Sequence, residues 1–155
     1  MNLQQVRQLA QDETTAPEKL RELANSTDSM VLKNIVANPN IPPDVLSKLA
    51  AQFPKQVFDN PALDLLLLET PDLFFGKAAN ALCSLLKREV PIKMIEYAAN
   101  SSDERLKLSL LMNTKISPEI LKQLSQSKSY HVQETTALHC NSTNKNSTNN
   151  YQEFI

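Results

Sequence analysis

The sequence repeats itself, and this constrains its fold more than any other feature. Residues 24–28 (Ala-Asn-Ser-Thr-Asp) return 75 positions later as residues 99–103 (Ala-Asn-Ser-Ser-Asp). A shorter step is visible where the pattern Pro-acid-x-Leu-x-x-Leu-Ala begins at Pro43, 26 positions after a close match beginning at Pro17. Three such steps give the longer offset, so the repeated unit is about 25 residues long.

Each unit opens with an X-Pro pair, and the prolines are spaced by 26, 28, 20 and 27 residues. The pairs are Ala16-Pro17, Pro42-Pro43, Thr70-Pro71, Val90-Pro91 and Ser117-Pro118. Proline suits the first position of a helix, where its missing N–H has no partner to lose, and the acidic residue that follows four of these prolines favours the positive end of the helix dipole. The sequence therefore predicts a helix start at each proline. Leucines three and six positions on, as in Leu46 and Leu49, form an apolar stripe on one face.

A second apolar cluster follows in each unit, as in Leu32, Ile35 and Val36, and it runs into Asn38-Pro39. The residue before a proline is disfavoured in the α region, so we predict a second short helix, α or 3₁₀, that ends there. One such unit buries too few aliphatic side chains to offset the entropy of ordering it. Neighbouring units must stack, which predicts an all-α solenoid in which each unit mainly contacts the next.

Composition excludes several other classes of protein. The chain has 155 residues, one glycine and a formal net charge of -1 from 16 basic and 17 acidic residues. One glycine is too few for a chain rich in β-turns or for a phosphate-binding loop. The balanced charge leaves no basic footprint for nucleic acid or for an anionic membrane. The N-terminus lacks the apolar core of a signal peptide, and the longest apolar run, residues 65–68, cannot span a bilayer, so we expect a cytoplasmic protein.

Residues 36–50 (Val-Ala-Asn-Pro-Asn-Ile-Pro-Pro-Asp-Val-Leu-Ser-Lys-Leu-Ala) resemble the variant leucine-rich repeat. Units of that family carry an Asn-Pro, a small-Pro helix start and a Leu-x-x-Leu-Ala helix. The resemblance covers residues 14–50 and 91–125 and is weak between them. It implies a right-handed α-solenoid or superhelix of HEAT-like shape, in which α-helices alternate with 3₁₀-helices, and a role in protein–protein interaction.

An iron–sulfur centre is associated with a member of that family, and we do not expect it here. Such a cluster needs about four closely organised thiolates. This chain has only Cys83 and Cys140, which lie 57 positions apart and belong to no Cys-x-x-Cys pair. They are predicted to be reduced thiols, with Cys83 buried in an apolar helix.

The middle of the chain departs from the repeat pattern. We predict one helical-repeat domain over residues 1–140, with irregular repeats at 52–90. Four phenylalanines cluster in the irregular part: Phe53, Phe58, Phe74 and Phe75. Their rings either fill core space left by the changed spacing or form an aromatic docking site for a partner.

The last stretch, residues 141–155, is predicted to be a disordered polar tail. Residues 141–150 are asparagine, serine and threonine with a single lysine. A segment of this composition buries too little apolar area to offset the entropy of ordering it.

No catalytic, cofactor-binding or metal-binding residue is predicted. The two histidines, His131 and His139, are eight positions apart, which is not the one-turn spacing of a helical pair of ligands, and only Cys140 lies near them. The serines lie in repeat segments without a glycine-rich nucleophile elbow, and most acidic residues lie at helix starts, where capping accounts for them. We therefore expect a protein that is not an enzyme and uses no cofactor.

The leading hypothesis for function is a protein–protein interaction or scaffold module whose partner is unidentified. The alternative is a nucleic-acid-binding helical-repeat protein, in which lysines and arginines along a groove follow a phosphate backbone, and the balanced charge disfavours it. A third possibility is a regulatory or capping fragment of a longer repeat system. No membrane association is expected.

Overall fold

A computed structural model describes the backbone of residues 1–149 and the side chains of residues 1–142, and every regular element in that range is an α-helix. The predicted all-α class is confirmed. The chain divides into two compact units, Met1–Leu82 and Cys83–Ile155. The helices are α1 (Leu3–Gln11), α2 (Pro17–Leu23), α3 (Ser29–Ala37), α4 (Pro43–Leu49), α5 (Pro54–Phe58), α6 (Leu63–Glu69), α7 (Lys77–Leu86), α8 (Ile92–Asn100), α9 (Glu104–Leu110), α10 (Pro118–Ser125) and α11 (Tyr130–Asn149).

Four of the five proline helix starts are confirmed. Pro17, Pro43 and Pro118 are the first residues of α2, α4 and α10, and Pro91 is the N-cap of α8. The residue before each of the first three prolines is extended, with ψ of 144°, 142° and 153°. Proline disfavours the α region for the residue before it, so each helix begins abruptly. Pro54 is the first residue of α5, although Phe53 before it has a ψ of 56° and is not extended. The repeat spacing does not predict this start, because no Leu-x-x-Leu follows Pro54.

The predicted helix start at Pro71 is wrong. Residues 71–74 form a turn closed by backbone hydrogen bonds, and α7 begins only at Lys77. Gly76 separates the two segments with a φ of 68°, a left-handed conformation that glycine adopts without steric cost. A right-handed helix begun at Pro71 would have to end there after about one turn, which is too short to be stable.

Helix α3 is the centre of the first unit. It packs against α1 and α2, which precede it, and against α4 and α5, which follow it. Its buried side chains are Val31, Leu32, Ile35 and Val36. They cover two adjacent faces of the helix, as neighbours on both sides require. Each buried aliphatic side chain stabilises the unit by roughly 1.5–3 kcal/mol relative to leaving it exposed.

In the second unit, each of the four helices α8 to α11 contacts one helix adjacent to it in the chain and one helix two places away. Helix α8 packs against α9 and α10, and α11 packs against α10 and α9. The fully buried side chains of these four helices include Met94, Ala98, Leu106, Leu110, Leu124 and Val132. Helices that are two places apart in the chain, α8 with α10 and α9 with α11, therefore lie next to each other.

The second helix of a repeat is α-helical in both units. Helix α3 has nine residues and α9 has seven. The 3₁₀-helices that the family resemblance implies are therefore not found in residues 1–149. The length explains the difference, because 3₁₀ geometry rarely extends beyond three or four residues.

The repeated Ala-Asn-Ser segments begin the second helix of their repeats in the same way. Asp28 accepts a hydrogen bond from the N–H three residues later at 2.9 Å, and Asp103 accepts one from the N–H two residues later at 3.0 Å. The serine two residues before each aspartate accepts the aspartate's own N–H, at 3.1 and 3.0 Å. Ser127 and Ser129 repeat this arrangement before α11. The sequence repeat therefore encodes a helix cap.

Three asparagines that follow helices bind the backbone of a segment about 25 residues earlier in the chain. Asn38, Asn60 and Asn113 are 2%, 2% and 3% exposed, and the amide Nδ2 of each donates two hydrogen bonds to backbone carbonyls near the end of an earlier helix. The distances are 3.0 and 2.9 Å from Asn38 to Ala10 and Asp12, 2.6 and 3.1 Å from Asn60 to Val36 and Asn38, and 2.8 and 2.6 Å from Asn113 to Leu86 and Arg88. We call these three residues the asparagine ladder.

Asparagine is the residue type that these positions require. The last carbonyls of a helix have no partner within it, and the two N–H groups of one amide supply a donor for one of them and for a second carbonyl just after the helix. The side-chain oxygen accepts the backbone N–H two residues later, at 2.9 Å for Asn38, 2.8 Å for Asn60 and 2.9 Å for Asn113, which forms an Asx-turn. In the Asn-Pro pairs, the proline ends the helix and the asparagine amide binds the earlier segment, so both residues have a structural role.

The ladder bonds join residues separated by 22 to 28 positions, close to one repeat length. Other side-chain contacts share this spacing. Arg7 pairs with Asp28, 21 positions away, and Lys115 pairs with Glu89, 26 positions away. Within each unit, segments that are about 25 residues apart in the sequence therefore contact each other.

Helix α11 continues past residue 140. Residues 141–149 are helical, which differs from the disorder predicted for that segment, and residues 150–155 lie outside the described range. Extending a helix adds one hydrogen bond for each residue fixed, whereas starting one is costly. A polar segment can therefore continue a helix whose first turns are packed. The predicted domain boundary at residue 140 stays a prediction.

Replacing Asn60 with alanine tests the ladder. The Val36 carbonyl would lose its donor while buried, and the Asn38 carbonyl would keep only the Ile41 N–H at 3.2 Å, so we expect the free energy of unfolding, measured by urea denaturation, to fall by about 1–3 kcal/mol. The matched control is Asn25→Ala, because Asn25 is exposed and its amide donates one hydrogen bond of 3.3 Å to the Glu22 carbonyl. Similar losses for the two variants would show that the ladder has no special role.

Candidate interaction surface

The phenylalanine cluster predicted from the sequence lies mostly in the core. Phe53 is 5% exposed, and Phe58 and Phe74 are fully buried. The rings of Phe58 and Phe74 have centroids 5.5 Å apart and are tilted by 34°, a stacking geometry that stabilises aromatic pairs. Phe75, at 44% exposure, is the only one of the four that solvent reaches readily. Three of the four rings are therefore positioned to fill space in the core.

The residues considered for metal or nucleophilic chemistry do not form a site in the described part of the chain. His131 is exposed on α11, whereas His139 and Cys140 are half-buried on the same helix. Cys83 on α7 is half-buried, not buried as predicted, because it is rotated by about 100° around the helix from Leu82, which faces the core. Residues 1–142 contain no group of three or more His, Cys, Asp or Glu side chains that could hold a metal ion.

Most of the arginines are occupied by carboxylates. Three of the four arginines in the sequence form ion pairs: Arg7 with Asp28 at 2.7 Å, Arg21 with Asp44 at 2.9 Å, and Arg105 with Asp103 at 2.7 Å. In each pair the guanidinium hydrogen bonds lower the pKa of the aspartate below its ordinary value. These guanidinium groups therefore already have anionic partners within the protein.

A short helix of the first unit exposes two leucines to solvent. Helix α6 has the sequence Leu-Asp-Leu-Leu-Leu-Leu-Glu. Leu65 and Leu68 are 65% and 78% exposed, whereas Leu63 is 3% exposed. Burying a leucine is favourable by roughly 1.5–3 kcal/mol, so a partner that covered this pair would gain from it.

The exposed positions of α6 form one continuous face, which we call the α6 face: Asp64, Leu65, Leu68 and Glu69. At about 100° per residue these four positions fall within an arc of roughly 140°, in the order Asp64, Leu68, Leu65, Glu69. The two leucines are at the centre of the arc and the two carboxylates are at its edges. An apolar centre with a charged rim is the usual arrangement of a protein-binding surface.

The residues on either side of the leucines indicate in the sequence that this face is exposed. By hydropathy alone, residues 65–68 stand out only as the longest apolar run. The distinguishing feature is the pair of acidic residues at positions 64 and 69, because each lies one helical turn from one of the exposed leucines.

No protein family, curated protein or solved structure matches this chain. Among residues 1–149, none of the helices combines the length and the apolar content that crossing a membrane requires.

The adjacent residues Phe74 and Phe75 give a matched test of the cluster's role. We expect Phe74→Ala to lower the free energy of unfolding by about 3–5 kcal/mol, because it removes a fully buried ring from contact with Phe58. Phe75→Ala should cost less than about 1 kcal/mol, because that side chain is 44% exposed. Both values come from urea denaturation, and equal losses would contradict the assignment of Phe74, but not Phe75, to the core.

The pair of Asp103 and Arg105 predicts a pH dependence of stability. The hydrogen bonds from the Arg105 side chain, followed by that from its backbone N–H, lower the pKa of Asp103 below its ordinary value of 3.8. The charged carboxylate therefore stabilises the fold above that value, and this contribution is lost as the pH falls through the lower pKa of the folded state. Asp103→Asn keeps a capping oxygen but loses the charge, so the variant should be less stable at neutral pH by no more than about 1 kcal/mol, since Arg105 is half exposed.

The measurement is urea denaturation of both proteins from neutral pH to about pH 2. The difference in stability should disappear at the acid end. Arg105→Gln should reproduce the loss at neutral pH, and a difference that stayed constant over the whole range would contradict the role of the charge.

Proposed function

We propose that the protein is a non-catalytic interaction or scaffold module, built from stacked helical repeats of the variant leucine-rich type, that binds another protein. The observation that supports this most is the α6 face, where two leucines of the same short helix are 65% and 78% exposed and flanked by carboxylates. A surface of this kind gains free energy when a partner covers it.

The architecture in this proposal is a right-handed solenoid of HEAT-like shape. The asparagine ladder supports it, because each member binds carbonyls that lie about one repeat earlier in the chain. The packing of α3 between α1 and α5, and of α10 against α8, also agrees with stacking of successive units. In such an architecture each repeat mainly contacts its neighbours, so one side of every repeat stays open to a partner.

Charge favours a protein partner over nucleic acid. The formal net charge is -1, and three of the four arginines are paired with aspartates. Binding a phosphate backbone would require several free cationic side chains along one surface. We further propose a cytoplasmic location, which is supported by the observation that Cys83 and Cys140 form no disulfide bond.

The test is affinity capture with the folded full-length chain as bait, followed by quantitative mass spectrometry. The expected result is the enrichment of a specific protein that then binds the purified chain directly. A second arm measures fluorescence anisotropy with a random-sequence single-stranded RNA and with duplex DNA at low salt. Recovery of no specific protein by the folded bait, or nucleic-acid binding that weakens steeply with added salt, would overturn the proposal.

A further inference from the structure

We propose that the α6 face binds a basic amphipathic helix of the partner, through the exposed leucines and the carboxylates beside them. This inference rests on the proposed function and specifies the chemistry of what is bound.

The apolar part of the contact is small and well defined. Leu65 and Leu68 are one turn apart and lie side by side on the helix. A partner helix that presents aliphatic side chains at the matching spacing of three or four residues would cover both leucines at once. The opposite side of α6 faces the core through Leu63, which is 3% exposed, so the two exposed leucines cannot turn inward without displacing it.

The charged residues of the α6 face determine which sign of charge the partner should carry. Asp64 and Glu69 are exposed and border the two leucines on opposite sides. The sequence around them contains four acidic residues, at positions 59, 64, 69 and 72, and no lysine or arginine from 56 to 76. A partner with lysines or arginines beside its apolar residues is attracted by this charge, and an acidic partner is repelled.

These carboxylates are available to a partner. Within residues 1–142, the ion pairs use Glu22, Asp28, Asp44, Glu89 and Asp103, and none of them uses an acidic residue between positions 56 and 76. The same charge disfavours two other occupants, since nucleic acids and anionic membranes are both repelled by it.

A second copy of the chain is the competing occupant. Ile92 is 73% exposed and is adjacent to Lys93, so one copy carries a basic, apolar segment of its own. It offers one exposed aliphatic side chain, where the α6 face needs two at helical spacing. We therefore favour a different protein, and the experiment includes self-association as an outcome that overturns the inference.

The experiment uses a synthetic amphipathic helix of leucine and lysine, labelled with a fluorophore and titrated with the full-length chain. The leucine–glutamate peptide of the same pattern is the charge control. We expect binding of the lysine peptide that weakens about tenfold or more in Leu65→Ser/Leu68→Ser and about two- to fivefold in Asp64→Asn/Glu69→Gln. Binding to the wild type should weaken as salt is added, because exposed charges are screened.

Ile92→Ser is the matched control variant, because Ile92 is as exposed as the two leucines but lies in a basic segment. It should bind the lysine peptide like the wild type. All substitutions are at exposed positions, and circular dichroism spectra and melting temperatures equal to the wild type would confirm that the variants are folded. Equal affinity for the two peptides, absence of binding, an equal loss in Ile92→Ser, or wild-type dimerisation that Leu65→Ser/Leu68→Ser abolishes would each overturn the inference.

The outcome can be separated from that of the proposed function. A protein captured equally well by the wild type and by Leu65→Ser/Leu68→Ser would leave the interaction role intact and refute the α6 face as its site. Failure of the wild type to capture any specific protein would refute the interaction role itself.

Discussion

The asparagines that follow α3, α5 and α9 each donate to one carbonyl in the last turn of an earlier helix, that of Ala10, Val36 or Leu86, and to a second carbonyl just after that helix. Each amide donates two hydrogen bonds to a segment about 25 residues earlier, and its oxygen accepts a third that holds its own loop. Such hydrogen bonds are directional, so they specify the distance and the register between the two segments more narrowly than aliphatic packing does. At the equivalent position after α7 the chain has Arg88, whose carbonyl accepts from Asn113 but whose side chain is exposed.

The sequence predicted the fold well where the signal is local. A proline and its neighbour determine a helix start through their own backbone restrictions, so the starts at Pro17, Pro43, Pro91 and Pro118 follow without any knowledge of tertiary contacts. The failure at Pro71 also has a local cause, since Gly76 ends the segment in a left-handed conformation. The hydrogen bonds of the asparagine ladder could not be predicted, because they are not local. Its partners are 22 to 28 residues away, and nothing beside Asn38 or Asn60 indicates what the amide will bind.

The candidate surface was harder to predict than the fold. Phenylalanine is common both in cores and in docking sites, and only the tertiary structure shows that Phe74 is enclosed and that Phe75 is not. The leucines of α6 are also ambiguous, because a leucine is expected in the core and these two are exposed. Leu65 and Leu68 have the same spacing as Leu46 and Leu49, which are buried, so periodicity alone cannot separate an exposed pair from a core pair. The adjacent carboxylates can, because charged side chains are almost never fully buried without a partner.

The prolines that follow two of the ladder asparagines also affect how readily those asparagines deamidate. Deamidation of asparagine normally begins when the backbone nitrogen of the next residue attacks the side-chain carbonyl carbon and closes a succinimide ring. Proline has no N–H to lose in that step, so Asn38 and Asn60 are protected from this route by Pro39 and Pro61. The protection matters because the product would be a buried carboxylate facing two carbonyl oxygens, with repulsion in place of both hydrogen bonds. Asn113 precedes Thr114 and lacks this protection, which makes it the ladder position most open to slow chemical damage.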